Sequence, residues 1–113
     1  MDHIAKHVDQ LTLELKRGTI TLAVLSKLHE RQYGYSLVTM LQERGLQVEP
    51  GTLYPLLRRL EKQGLLQSEW DTSEPRPRKY YFLSNLGKEV LTVTKREWIQ
   101  LVANMEQLLE GND

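Results

Sequence analysis

Residues 49–83, EPGTLYPLLRRLEKQGLLQSEWDTSEPRPRKYYFL, constrain the fold of this chain more than any other stretch. Pro50 suits a first helical position, where its missing N–H would have had no intrahelical partner. Leu53, Leu57 and Leu60 then recur at helical spacing with Leu56 on their flank, which predicts one buried stripe. Gly64 is placed to close that helix as a C-terminal cap. At about 100° per residue, the face opposite the leucines carries Gly51, Pro55, Arg58, Arg59 and Lys62. An apolar pair, Leu65 and Leu66, leads into a strand ending near Trp70. A turn rich in Asp, Ser and Pro follows, then a second strand over residues 79–83. Arg76, Arg78 and Lys79 fall at or beside the tip of the resulting hairpin.

A leucine-striped helix with cations on its far side is, taken alone, most often a solvated amphipathic helix, and a basic hairpin alone is an equally weak sign. Their order here is a helix, a short link and a hairpin with a basic tip, which is the winged form of the helix-turn-helix. Small residues at one end of the helix face permit close approach to a DNA major groove. The arginines and the lysine are placed to reach phosphates or guanine edges.

The rest of the chain reads as helices. Ile4, Val8, Leu11 and Leu15 mark a first helix over residues 2–16, with Gly18 as an interruption. A second, apolar around much of its circumference, is expected over residues 19–30. A third spans residues 34–44, burying Leu37, Met40 and Leu41, with Gly45 as its cap. Residues 45–49 then form the turn of the helix-turn-helix. Ser84 is a plausible N-cap for a long final helix reaching about residue 110. The expected class is mainly α with a small β-hairpin. Residues 1–83 would form a winged helix-turn-helix DNA-binding domain with an N-terminal helix, and residues 84–113 a C-terminal dimerisation helix.

That last helix carries a second signal. Leu91, Thr94, Trp98, Leu101, Met105 and Leu108 alternate at three and four residues, a heptad seam that Ile99, Val102 and Leu109 broaden. Packing of the first and last helices within one subunit is one way to cover it. A seam this long exceeds what a small winged-helix core covers, which favours an intersubunit bundle. Its interface would comprise Ile4, Val8, Leu11, Leu15, Leu91, Trp98, Leu101, Val102, Met105 and Leu108. Such a homodimer suits a near-palindromic operator with half-sites roughly 34 Å apart.

Composition sets limits around this reading. With 113 residues the chain supports one modest core, and without cysteine it has neither disulfides nor thiolate zinc sites. No apolar run approaches a membrane span and no signal-peptide pattern opens the chain, so the expected location is the cytoplasm. The formal net charge is +0, and residues 44–83 carry only seven Lys/Arg against five Asp/Glu. Non-specific DNA binding should therefore be weak, leaving specificity to local clusters and shape.

The residues also resemble the PadR family of bacterial transcriptional regulators. The likeness lies in RGTITLAVLSKL at 17–28, YGYSL at 33–37, EPGTLYPLLRRLEKQGLL at 49–66, RKYYFLSNLGKEVL at 78–91 and the pair Glu97-Trp98. The single helix after the hairpin is similar to the compact subgroup of that family. The position before Pro50, often a small hydroxyl residue in the family, is Glu49 here, and the segment before Arg17 is longer than in the shortest members. The resemblance implies a dimeric winged-helix repressor that leaves its operator when a small effector binds. It implies that Trp98 stacks on a flat aromatic ligand at the dimer centre and that Tyr54 reaches the DNA backbone. It further implies that Tyr33, Gly34 and Tyr35 open a helix whose free N–H groups take a phosphate. With Thr52, these residues complete the expected DNA-contacting set of Tyr35, Gly51, Thr52, Tyr54, Pro55, Arg58, Arg59, Lys62, Arg76, Arg78 and Lys79.

His3 and His7 lie one helical turn apart with Asp2 and Asp9 nearby, yet no third ligand of fixed geometry accompanies them, so no metal site is expected. No cofactor motif, nucleophile elbow or phosphate-binding glycine loop is present, and catalysis is not expected. The alternative from another class is a winged-helix protein–protein module, in which Arg58, Arg59 and the wing engage an acidic partner.

Overall fold

A computed structural model describes residues 2–110. The first helix, α1, runs unbroken through Asp2–Ser26, where the sequence led us to expect two helices divided at Gly18. A lone glycine within a helix costs only about 1 kcal/mol relative to alanine. Here it removes no hydrogen bond, and Thr19 Oγ1 returns to the carbonyl of Lys16 at 2.9 Å. The helix also ends earlier than expected. Ser26 Oγ donates to Ala23 O at 2.6 Å, and Lys27 and Leu28 close the chain with tight bonds back to Val24 and Leu25.

A strand of two residues, β1 (Gln32–Tyr33), precedes α2 (Gly34–Glu43). Gly45, at φ 88°, ends α2 in the left-handed region that favours glycine. Then come α3 (Pro50–Lys62), β2 (Leu66–Asp71), β3 (Arg78–Leu83) and α4 (Asn85–Leu109). The sheet is antiparallel in the order β1-β3-β2, so the expected hairpin has gained a third strand. The link pairs Gln32 with Tyr81 and Tyr33 with Tyr80, tying the start of α2 to the wing.

One core holds these elements together. Val24, Leu25 and Leu28 from the end of α1 meet Leu37, Val38 and Leu41 of α2 and the α3 stripe Leu53, Leu56, Leu57 and Leu60. Leu66, Tyr81 and Leu83 close it from the sheet. Each fully buried leucine contributes about 1.5–3 kcal/mol of apolar burial. Met40, expected inside, is only half-buried. Val38 takes that place in α2, because the helix leans on α3 along its Leu37-Val38-Leu41 edge.

Ser84 caps α4 as expected, accepting from Gly87 N at 2.9 Å, while its hydroxyl donates to Gly64 O at 2.6 Å. Gly87 is itself required, since a Cβ there would stand 2.1 Å from the carbonyl oxygen of Leu65. The start of α4 is thereby pressed onto the core, and Leu91 is only 4% exposed. Leu91 therefore leaves the expected intersubunit seam, because its own subunit already covers it. Beyond that point α4 and the first half of α1 project from the core, and the molecule extends 60 × 35 × 24 Å.

Candidate nucleic-acid interface

The α3 helix has the largest separation of apolar and polar faces in the chain. Its four leucines are buried, whereas Gly51, Thr52, Pro55, Arg58, Arg59 and Lys62 are all exposed. The side chains of Arg58, Arg59 and Lys62 make no ion pair or hydrogen bond among the described residues. Pro55 sits inside the helix and cannot donate to the carbonyl of Gly51; that carbonyl belongs to an exposed residue, so water can satisfy it. Neither α2 nor α3 has a side-chain cap. Tyr33 and Glu49 occupy the two N-cap positions in extended conformation, and neither side chain bonds the first-turn N–H groups; the Glu49 carbonyl accepts from Thr52 and Leu53 N–H, both at 2.9 Å. No acidic residue lies in either first turn, so the start of α2 presents an uncompensated positive dipole end, whereas the Glu49 carboxylate stands at the N-cap of α3.

The two helix starts are also in contact. A Cβ on Gly34 would fall 2.4 Å from the ring of Tyr54, so only glycine lets that ring rest on the α2 backbone. Tyr54 stays 37% exposed, and Tyr35, the next residue of α2, is 79% exposed. Glycine in the YGYSL segment thus fixes the approach of α3 to α2, a role the sequence did not reveal.

The wing is bound to this unit by polar contacts on one face. The Tyr33 hydroxyl donates to Asp71 Oδ2 at 2.6 Å, and Asp71 Oδ1 accepts from the Ser73 hydroxyl and backbone N–H. The Ser73 hydroxyl first, then that of Tyr33, hold the Asp71 carboxyl at about 2, below its ordinary 3.8. The same bond to the carboxylate, with burial adding to it, raises the Tyr33 phenol above its usual value. Arg31 donates to the Tyr80 hydroxyl and lies 4.8 Å from that ring's centroid, while the Tyr80 hydroxyl donates to Glu69 at 3.2 Å. Exposed pairs of this kind are screened by solvent, so they orient the wing more than they stabilise it.

The three wing cations do not share one environment. Arg78 lies over Tyr33 at 5.2 Å and 3.4 Å from Glu74. Lys79 is half-buried beside Glu61 at the end of α3. Arg76, in the turn, is exposed and makes no such contact among the described residues. Asp71, Glu61 and Glu69 escaped the sequence reading, since nothing in the linear pattern reveals partners across strands or between a strand and a helix end.

At the other end of the molecule Trp98 is 40% exposed and borders a cleft of about 560 Å³ between the end of α1 and α4. Leu22, Leu46 and Leu91 supply its apolar wall, and Lys27, His29 and Lys95 its polar rim. Ile4, Val8, Leu11 and Leu15 on α1 are exposed, as are Leu101, Met105 and Leu108 on α4, and Val102 is half-buried. Among the described residues no group of three or more His, Asp or Glu could hold a metal ion, and no helix is long and apolar enough to cross a membrane.

A winged helix-turn-helix with this ornament matches one family of regulators. The PadR-like transcriptional regulator family matches residues 22–93, and the chain belongs to it. A transcriptional regulator of Mycobacterium tuberculosis is 37% identical over 84 residues, covering 74% of this chain and 78% of that protein. The crystal structure of a PadR family transcriptional regulator from Eggerthella lenta superposes with a TM-score of 0.92 at 46% identity, covering 99% of this chain and all of that one. A PadR-like regulator from Bacillus cereus gives 0.77 at 31%, covering 88% and 99%.

Proposed function

We propose that this protein is a sequence-specific DNA-binding repressor, a cytoplasmic homodimer without enzymatic activity that leaves its operator when a small effector binds. The observation that carries the DNA reading is the outer face of α3, where three cations stand without ion pairs among the described residues beside small residues. Arg58, Arg59 and Lys62 would enter or border the major groove, with Gly51, Thr52 and Pro55 allowing close approach. Tyr35 and Tyr54, at the adjoining helix starts, would meet the backbone, and the wing would follow it through Arg76, with Arg78 nearby.

Residues 1–83 would serve as the DNA-binding unit. Residues 84–113 would serve as the dimerisation helix, its first turns shared with the core. The exposed stripes of α1 and α4 support the dimer, because large apolar side chains repeated at helical spacing and open to solvent suit an interaction site. Trp98 beside its cleft supports a planar aromatic effector, which would act only through unequal affinity for two dimer geometries.

Selection of bound duplexes from a random library, followed by titration, tests the reading. Replacing a base-reading arginine by alanine should weaken operator binding by about 1–3 kcal/mol and relax preference at one position. If Arg58→Ala and Arg59→Ala both leave affinity and preference intact, α3 does not read DNA. The zero net charge favours a second reading, docking to an acidic protein. A flat salt dependence of duplex binding would support it.

A further inference from the structure

Side chains alternate along a strand, so Arg78 and Lys79 lie on opposite faces of the wing. Lys79 takes the face turned toward α3, directly across the ladder from Trp70. Its Nζ is 3.5 Å from Glu61 Oε1, 5.3 Å from the centroid of the Tyr81 ring and 5.9 Å from that of Trp70. Ser68, on the neighbouring strand, donates to the other oxygen of Glu61. Both strands of the wing therefore converge on one carboxylate in the last turn of α3. Only about a third of the Lys79 and Glu61 side chains remains open to solvent.

We infer that Lys79 is a positioning residue and not a phosphate-binding cation: through Glu61 it clamps the wing to the end of the recognition helix. The inference rests on the DNA-binding reading. An ammonium held by a carboxylate and two aromatic faces must give up those contacts to reach a phosphate. Releasing it would also leave the Glu61 carboxylate unneutralised beside the DNA. Held in place, Lys79 instead fixes how far Arg76, in the turn, stands from Arg58 and Lys62 on α3. The wing then spans a set distance along the duplex, and Glu61, an acid on a DNA-facing helix, acquires a role.

Salt titration of duplex binding separates positioning from contact, because each phosphate contact adds to the log–log slope. Lys79→Gln should weaken binding about twofold to fivefold and leave that slope unchanged, whereas Arg76→Gln should lower it by roughly one. A slope lowered by Lys79→Gln or an unaltered affinity in that variant would each overturn the inference.

Trp70 emission, read without DNA in a Trp98→Phe background, tests the clamp on its own. Both Glu61→Gln and Lys79→Gln should shift it, because each changes how the ammonium sits over the indole. Emission unmoved by Glu61→Gln would show the clamp absent in solution. A wild-type protein that selects no duplex would remove the DNA reading, while the emission still decides whether the clamp exists.

Discussion

Single side chains decide how the wing and the helices meet. Asp71 is ionised down to about pH 2 in the folded chain, against 3.8 ordinarily, so its contribution to stability is complete above pH 3.8 and lost as the pH falls through 2. Tyr33→Phe removes the second of its three donors and leaves both from Ser73. The Asp71 carboxyl should then titrate higher, part of the way back toward 3.8, as carboxyl NMR shifts would report. An unmoved titration would show that the Tyr33 bond is not formed in solution. Two glycines allow a sharper comparison. Alanine at Gly87 would drive its Cβ against the Leu65 carbonyl, which lies in fixed backbone, and should cost about 1–3 kcal/mol in urea unfolding. Alanine at Gly34 meets only the Tyr54 ring, which is partly exposed and can swing away. Gly34→Ala should therefore disturb duplex binding more than stability, and Gly87→Ala the reverse.

At the scale of elements, Gly18 is the position to test. It lies within α1, is exposed, and has nothing within 4 Å of where a Cβ would stand. Gly18→Ala should raise stability by up to about 1 kcal/mol, seen as a higher melting temperature. A lower melting temperature would instead reveal a second copy packed against that backbone. The same glycine shows where the sequence was legible and where it was not. The α3 helix could be read residue by residue, because Pro50, the leucine stripe and Gly64 all act locally. The join between the first two helices could not, since one glycine weakens a helix without ending it and the decision lies in core packing beyond Ser26. Nor could β1, whose two residues are a strand only because Tyr80 and Tyr81 lie beside them. In the candidate interface the exposed α3 cations were legible from the helical period alone. The divided fates of Arg76, Arg78 and Lys79 were not, because pairing across a ladder and onto a helix end leaves no trace in local spacing.

For the whole molecule, the exposed stripes at the two ends of the chain predict association. Leu101→Asp with Met105→Asp places two charges on the α4 stripe and should convert the proposed dimer into monomers or unfold it, as light scattering and far-UV dichroism would distinguish. A wild-type protein that scatters as a monomer at micromolar concentration would remove the dimer from the proposal. The unbroken path of α1 has a mechanical consequence if that dimer forms. Its 25 residues make a rod about 37 Å long, with the stripe from Ile4 to Leu15 along its first half and Val24 and Leu25, packed on α2 and α3, at its far end. A rod without a joint converts rotation into displacement, about 0.6 Å at its far end for each degree of tilt over that length. A tilt of a few degrees between two subunits would then move the reading heads by a bond length or more, with no bending anywhere in between.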